Sequence, residues 1–151
     1  MADNKSNIDN ELKLADNLPD NFDEQKLIAH WISSSDNDFV TMCDMYVTKH
    51  FNWTLFIGHL VIEKLLKACF LKTNHQFPPL IHNLLRLAEK ANVDLAAENL
   101  EFFATVTSFN INSRYDDYKQ SFYHICTPEF TERWFEKIKT YRQWLKEKYL
   151  K

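Results

Sequence analysis

His59, Glu63 and Lys67 follow one another at intervals of four residues inside a stretch that is otherwise apolar. On an α-helix this spacing stacks an imidazole, a carboxylate and an ammonium in one stripe. Two uses fit such a stripe. Glu63 and Lys67 can neutralise each other where helices meet, because a charge taken out of water needs a partner. Alternatively the stripe lines a cleft with His82 and Arg114. There Lys67 would meet a phosphate as a point charge and Arg114 would grip it with a bidentate fork. Tyr115 and Asp117 adjoin Arg114 and extend the candidate groove. Each of these also has a plainer reading. His82 can cap or rim the start of a helix. Arg114 and Asp117 can form a local ion pair, worth about 1 kcal/mol or less if exposed. Tyr115, Tyr118, Phe122 and Tyr123 can stack on bases or simply pack their own segment down.

Other chemistries find little support. His59, Glu63 and His82 lack a fourth ligand, so no metal is expected. Cys43, Cys69 and Cys126 sit among apolar residues, are odd in number and are too far apart for a metal site. Free thiols in a reducing cytosol follow, and the expected location is cytoplasmic. No Ser/His/Asp or Cys/His nucleophile stands out. The single glycine, Gly58, excludes glycine-rich phosphate loops, and no cofactor is expected.

The same lone glycine points to the elements that must carry these residues. Tight hairpins and bulges lean on glycine, so helices joined by Asn, Asp and Pro turns are left. The hydrophobic pattern predicts a helix from Asp23 to about His50, with a weak spot at residues 33–37, where serines and Asp36 compete for backbone hydrogen bonds. Residues 51 to about 73 are apolar almost all round, which suits the centre of a bundle. Pro79 fits the first turn of a helix reaching about Ala91, with His82 in that turn. Asp94 can cap a helix from Leu95 to about Phe109. Residues 110–126 read as a long polar, tyrosine-rich connection, and Thr127-Pro128 opens a last helix to about Tyr149. Gly58 costs about 1 kcal/mol relative to Ala inside a helix. Close approach of another helix, across a dimer axis for instance, would justify it.

The expectation is therefore an all-α, up-and-down antiparallel bundle of about five helices over residues 23–151, preceded by a flexible acidic tail, 1–22. Residues 1–24 hold seven acids and two lysines, whereas 129–151 hold seven bases and four acids. With a net charge of −3 the chain is no obvious duplex-DNA binder, and the basic last helix is first of all a solvated face. The most apolar stretch, 55–71, is interrupted by His59, Glu63, Lys64 and Lys67, so no membrane span is expected.

Several short motifs occur in a telling order. Trp31 precedes Ser35-x-x-Asp38. Asn52-Trp53 precedes His59-x-x-x-Glu63-Lys64-Leu65-x-Lys67-Ala68. Pro78-Pro79 leads to His82-Asn83-Leu84-Leu85-x-Leu87, and Ser113-Arg114-Tyr115-Asp116-Asp117 comes later. In this order the chain resembles the HEPN family over roughly residues 24–150. Its last motif is similar to the Arg-Tyr-Pro-Asp motif of one branch, with Asp116 in place of proline. The resemblance implies a helical bundle, usually a homodimer. It also implies a small nucleotidyltransferase partner in an operon of toxin–antitoxin type, and binding of a nucleotide or RNA. Some branches cleave RNA without metal, using Arg-x(4–6)-His at the dimer interface. Here Lys119, Gln120 and Ser121 occupy the histidine positions, and the next histidine, His124, follows nine intervening residues. Ribonuclease activity would need Arg114 with Lys119 or His124, and the segment would have to bend back. The expected function is thus a nucleotide- or RNA-binding HEPN module. An RNA endonuclease is the runner-up, and a dimeric interaction domain without a ligand is third.

Overall fold

A computed structural model describes residues 22–114 and 116–151, without the side chains of Arg114, Asp116 and Asp117. The expected 1–22 tail lies, apart from Phe22, outside the described residues. The described residues form six helices, α1 (Glu24–Val47), α2 (Phe51–Asn74), α3 (Leu84–Lys90), α4 (Ala97–Arg114), α5 (Asp116–Ile125) and α6 (Pro128–Tyr149).

The order of contacts gives the topology. Along the α1–α2 hairpin, Met42 lies beside Gly58, Ser35 bonds to Val61 and Trp31 faces Lys67, so the two helices run antiparallel. Ile138 of α6 lies against Gly58, and Lys72 bonds to Lys151, so α6 runs parallel to α2. Tyr141 meets Phe102 and Trp134 meets Phe109, which sets α4 antiparallel to α6. The result is an all-α, up-and-down bundle of four long helices, with α3 and α5 as shorter additions.

Helix α2 lies at the centre and touches each of the other five. Leu55, Val61, Ile62, Leu65, Leu66 and Leu71 on it have no exposed surface. Gly58 is explained within the chain. A Cβ there would lie 2.6 Å from Ile138 Cδ1 and 3.2 Å from Met42 Sδ, so the α6 side chain fills the space. The α4 and α6 backbones stay farther apart, and aromatic rings fill the gap: Phe102 stacks on Tyr141 with centroids 3.6 Å apart, and Phe109 meets Trp134 edge-on at 5.6 Å. This accounts for part of the aromatic content of the chain.

Three local expectations need correction. Residues 33–37 do not break α1, because Ser35 is turned inward and its hydroxyl donates to the Val61 carbonyl at 2.8 Å. The third helix starts at Leu84 rather than near Pro79. Asn83 caps it by accepting from the Arg86 N–H, and the Leu84 N–H is held by Thr107 Oγ1 of α4. His82 therefore precedes the helix instead of lying in its first turn. Finally, the polar connection from 110 to 126 is largely helical. Phe109, Phe122 and Cys126 turn inward, and Phe122 packs on Phe109 with centroids 5.7 Å apart. A narrow buried stripe suffices for α5 to dock, even though its other faces are polar.

No helix among the described residues is long and apolar enough to cross a membrane.

Candidate functional site

Glu63 is the focus. Its carboxylate is almost fully enclosed, with 4% of the side chain exposed, on the helix whose other faces bury leucine and valine. One turn on, Lys67 brings its ammonium to 3.1 Å from Glu63 Oε1. One turn back, His59 Nδ1 lies 3.6 Å from Oε2. The stripe read from the i, i+4, i+8 spacing is therefore a physical cluster.

His82 enters from the segment before α3. Its Nδ1–H donates to the same Glu63 Oε1 at 2.8 Å, and its carbonyl accepts from His59 Nε2–H at 2.9 Å. These two bonds fix the tautomers, placing a proton on Nε2 of His59 and on Nδ1 of His82. When neutral, His82 then keeps a lone pair on Nε2, on a side chain that is 52% exposed. An imidazole oriented by a buried carboxylate is an arrangement suited to accepting a hydrogen bond or moving a proton. Lys67 shares the same oxygen, so two cationic or proton-bearing donors converge on one buried acid, and of the two only His82 is widely exposed.

Trp31, from α1, completes this rim. Lys67 Nζ lies 5.1 Å from its ring centroid, a cation–π distance, and the indole N–H finds no acceptor among the described residues. Sequence reasoning noted Trp31 only as part of the helix-one motif. The missed signal is geometric. Trp31 and Lys67 are each eighteen residues from Lys49 in the α1–α2 turn, as Ser34 and Lys64 are each fifteen, and both pairs touch.

The remaining candidates are arranged differently. The side chains of Arg114 and Asp117, and all of Tyr115, lie outside the described residues. Lys119 and His124 are both exposed on α5. A helix thus occupies the segment that would have to bend for His124 to approach Arg114, and it spans roughly 12 Å from Asp116 to His124 at 1.5 Å per residue. His124 instead borders a cavity of about 200 Å³ with Lys49, Asn52, Tyr123 and Cys126.

A second polar cluster ties α1 to α6. Asp36 Oδ1 accepts from Arg142 Nη2 at 2.8 Å and from Lys146 Nζ at 2.9 Å, and the Arg142 guanidinium lies 4.0 Å from the Phe39 centroid. Partial burial alone would raise the Asp36 pKa, but the two hydrogen bonds and the two positive charges outweigh it and hold the carboxyl below its usual value. Sequence reasoning missed this network, since the residues are separated by more than a hundred positions.

Cys69 and Cys126 behave as core residues, and Cys43 is partly buried. Burial pushes the Cys69 and Cys126 thiols up to about 12, well away from thiolate chemistry. Among the described residues no group of three His, Cys, Asp or Glu side chains is placed to hold a metal ion.

The HEPN domain family model matches residues 28–148. The chain belongs to the HEPN family. The match runs from the second turn of α1 nearly to the end of α6 and contains the Glu63 cluster. No curated protein and no solved structure matches the chain. Membership in the HEPN family supports a module concerned with nucleotides or RNA, and the Glu63 cluster is the place on this member where such chemistry can be weighed.

Proposed function

We propose that this HEPN domain binds a nucleotide or RNA phosphate at the rim formed by Lys67, His82 and Trp31. His59 and Glu63 act as the buried support, and Arg114, Tyr115 and Asp117, whose side chains lie outside the described residues, are further candidates for contact with the ligand. The observation that carries the reading is the sharing of Glu63 Oε1 by Lys67 and His82: an acid inside the bundle holds an ammonium that keeps further donors for a phosphate, beside an imidazole that can donate from Nε2 once protonated. A cluster that served packing alone would not need to hold a half-exposed imidazole in one orientation. Trp31 offers a ring on which a base can stack.

In the same reading the domain works as a homodimer in the cytoplasm, beside a small nucleotidyltransferase of a toxin–antitoxin-like pair. Exposed Val47 and Trp53, with the apolar groove of Met45, His50, Trp53 and Ile57, support a helical face available for self-association. The free cysteines support a reducing compartment.

The test is direct. Labelled single-stranded RNA and a panel of nucleotides are titrated against the wild type, Lys67→Met, His82→Asn and Arg114→Ala, with anisotropy and melting temperature as readouts. Loss of one charged phosphate contact should weaken binding roughly five- to tenfold. Unchanged affinity in both Lys67→Met and His82→Asn, or no binding by the wild type, removes the proposal. The same RNA run on a gel separates binding from cleavage. Cleavage abolished by Arg114→Ala would favour the endonuclease alternative.

A further inference from the structure

A cavity of about 310 Å³ opens between the start of α4 and the last turns of α6, remote from Glu63 in sequence and lined by Asp94, Glu98, Asn99, Thr140, Tyr141 and Trp144. Its walls are fixed. Tyr141 donates its hydroxyl to Asn99 Oδ1 at 2.7 Å, and Asn99 Nδ2 donates to the Asp94 carbonyl at 2.9 Å. Tyr149 accepts from the Asp94 N–H at 2.9 Å. The rings of Tyr141 and Trp144 meet edge-on at 5.5 Å, and Trp144 and Tyr149 meet nearly perpendicular at 5.4 Å. Aromatic rings and carboxylates thus line one space, with Tyr141 stacked on Phe102 from one side, and the Tyr141 and Asn99 donors are already used to hold the walls.

A cation already rests at this margin. Lys148 Nζ lies 5.5 Å from the centroids of both Trp144 and Tyr149 and 4.0 Å from Asp94 Oδ2. Asp94 also spends Oδ1 on the Ala96 N–H. Glu98 has no ion pair among the described residues, and its charge still acts on the cavity. Burial first, then Glu98 and Glu101, raises the pKa of the Tyr141 phenol that forms one wall.

We infer that this cavity is a site for a primary alkylammonium ligand of the linear polyamine type. One ammonium would sit against Glu98 and the Trp144 face, and the methylene chain would lie along Tyr141. Aromatic faces attract organic cations through their quadrupole, and the apolar stem of an alkylammonium gains from the same rings. A free amine and the lysine side chain of another protein share this chemistry, and the small-ligand volume of the cavity favours the small amine.

Spermidine is titrated calorimetrically into the full chain at constant ionic strength, in parallel with a blocked lysine tripeptide. Saturable one-to-one binding of spermidine is expected. Glu98→Gln and Trp144→Leu should each weaken it roughly three- to fivefold or more. Lys148→Met removes the resident cation and should tighten it, while the exposed α6 variant Glu132→Gln should leave it unchanged. Circular dichroism verifies that Trp144→Leu is folded, and Glu98→Gln, at an exposed position, carries the test if it is not. Heats matched by sodium chloride, equal weakening in Glu132→Gln, or weaker binding in Lys148→Met overturns the inference. Tighter binding of the tripeptide than of spermidine overturns the choice of a free amine. None of these variants touches the Glu63 rim, so RNA binding there is an independent readout.

Discussion

At the scale of single residues, the interior carboxylate does most to define this molecule. Glu63 neutralises Lys67 and orients His82 with one oxygen. Glu63→Gln keeps the shape and removes the charge, leaving Lys67 largely buried without a counter-ion. Chemical denaturation should show a loss of about 2–3 kcal/mol, toward the lower end of what breaking a buried pair costs, because Lys67 retains some access to water. Gly58 gives a second test. Alanine there gains helix propensity of about 1 kcal/mol but forces Ile138 aside at a cost of about 1–3 kcal/mol. Gly58→Ala should therefore range from neutral to destabilising by about 2 kcal/mol, and adding Ile138→Val should recover part of any loss. Strict additivity of the two changes in a double-mutant cycle would contradict the contact. Of these residues, the His59–Glu63–Lys67 stripe was legible because helical spacing alone determines it. The tryptophan beside it was not, because its position depends on where the α1–α2 turn falls.

At the scale of elements, the long helices were readable and the short ones were not. A buried α2 reveals itself by composition, with Leu55, Ile62, Leu65 and Leu66 enclosed on several sides. Helix α5 shows the opposite. It is held by a few inward side chains such as Phe122, and its asparagine- and tyrosine-rich surroundings resemble a loop. The start of α3 was misjudged for a related reason. Proline tolerates a first turn, but Asn83 supplies a side-chain acceptor and Thr107 of a distant helix holds the first N–H, and neither is evident from proline placement. Where the cap signal was strong it was sufficient. Thr127 accepts from the Phe130 N–H at 3.2 Å immediately before Pro128, as expected from the sequence. Thr127→Ala should cost about 1 kcal/mol by loss of that cap, measured as a lowered denaturation midpoint with unchanged slope.

At the scale of the whole molecule, the first and last helices are joined by Asp36, Arg142 and Lys146. The Asp36 carboxyl is held below its usual value, so the folded state binds its proton less readily than the unfolded chain. Its contribution is complete above the ordinary carboxylate range, near pH 4, and disappears as pH falls through the lower folded value. Asp36→Asn should lower stability by about 1 kcal/mol at neutral pH, as befits a partly exposed network. Melting curves of the two proteins should converge in acid, and a gap that widened below pH 4 would contradict the assignment. This staple was beyond sequence reasoning, which sees charge runs but not which distant charges meet.

The central position of α2 has a further consequence. Because every other helix among the described residues rests on it, its middle cannot open unless the bundle as a whole comes apart, whereas α5 rests chiefly on α4 and only slightly on α2. The amide protons of Val61 and Ile62, midway along that axis, should exchange with deuterium only at the rate of global unfolding, while those of α5 exchange through a smaller, cheaper excursion. The molecule would then carry one slow clock and one fast one, with Lys119 and His124 riding on the fast one.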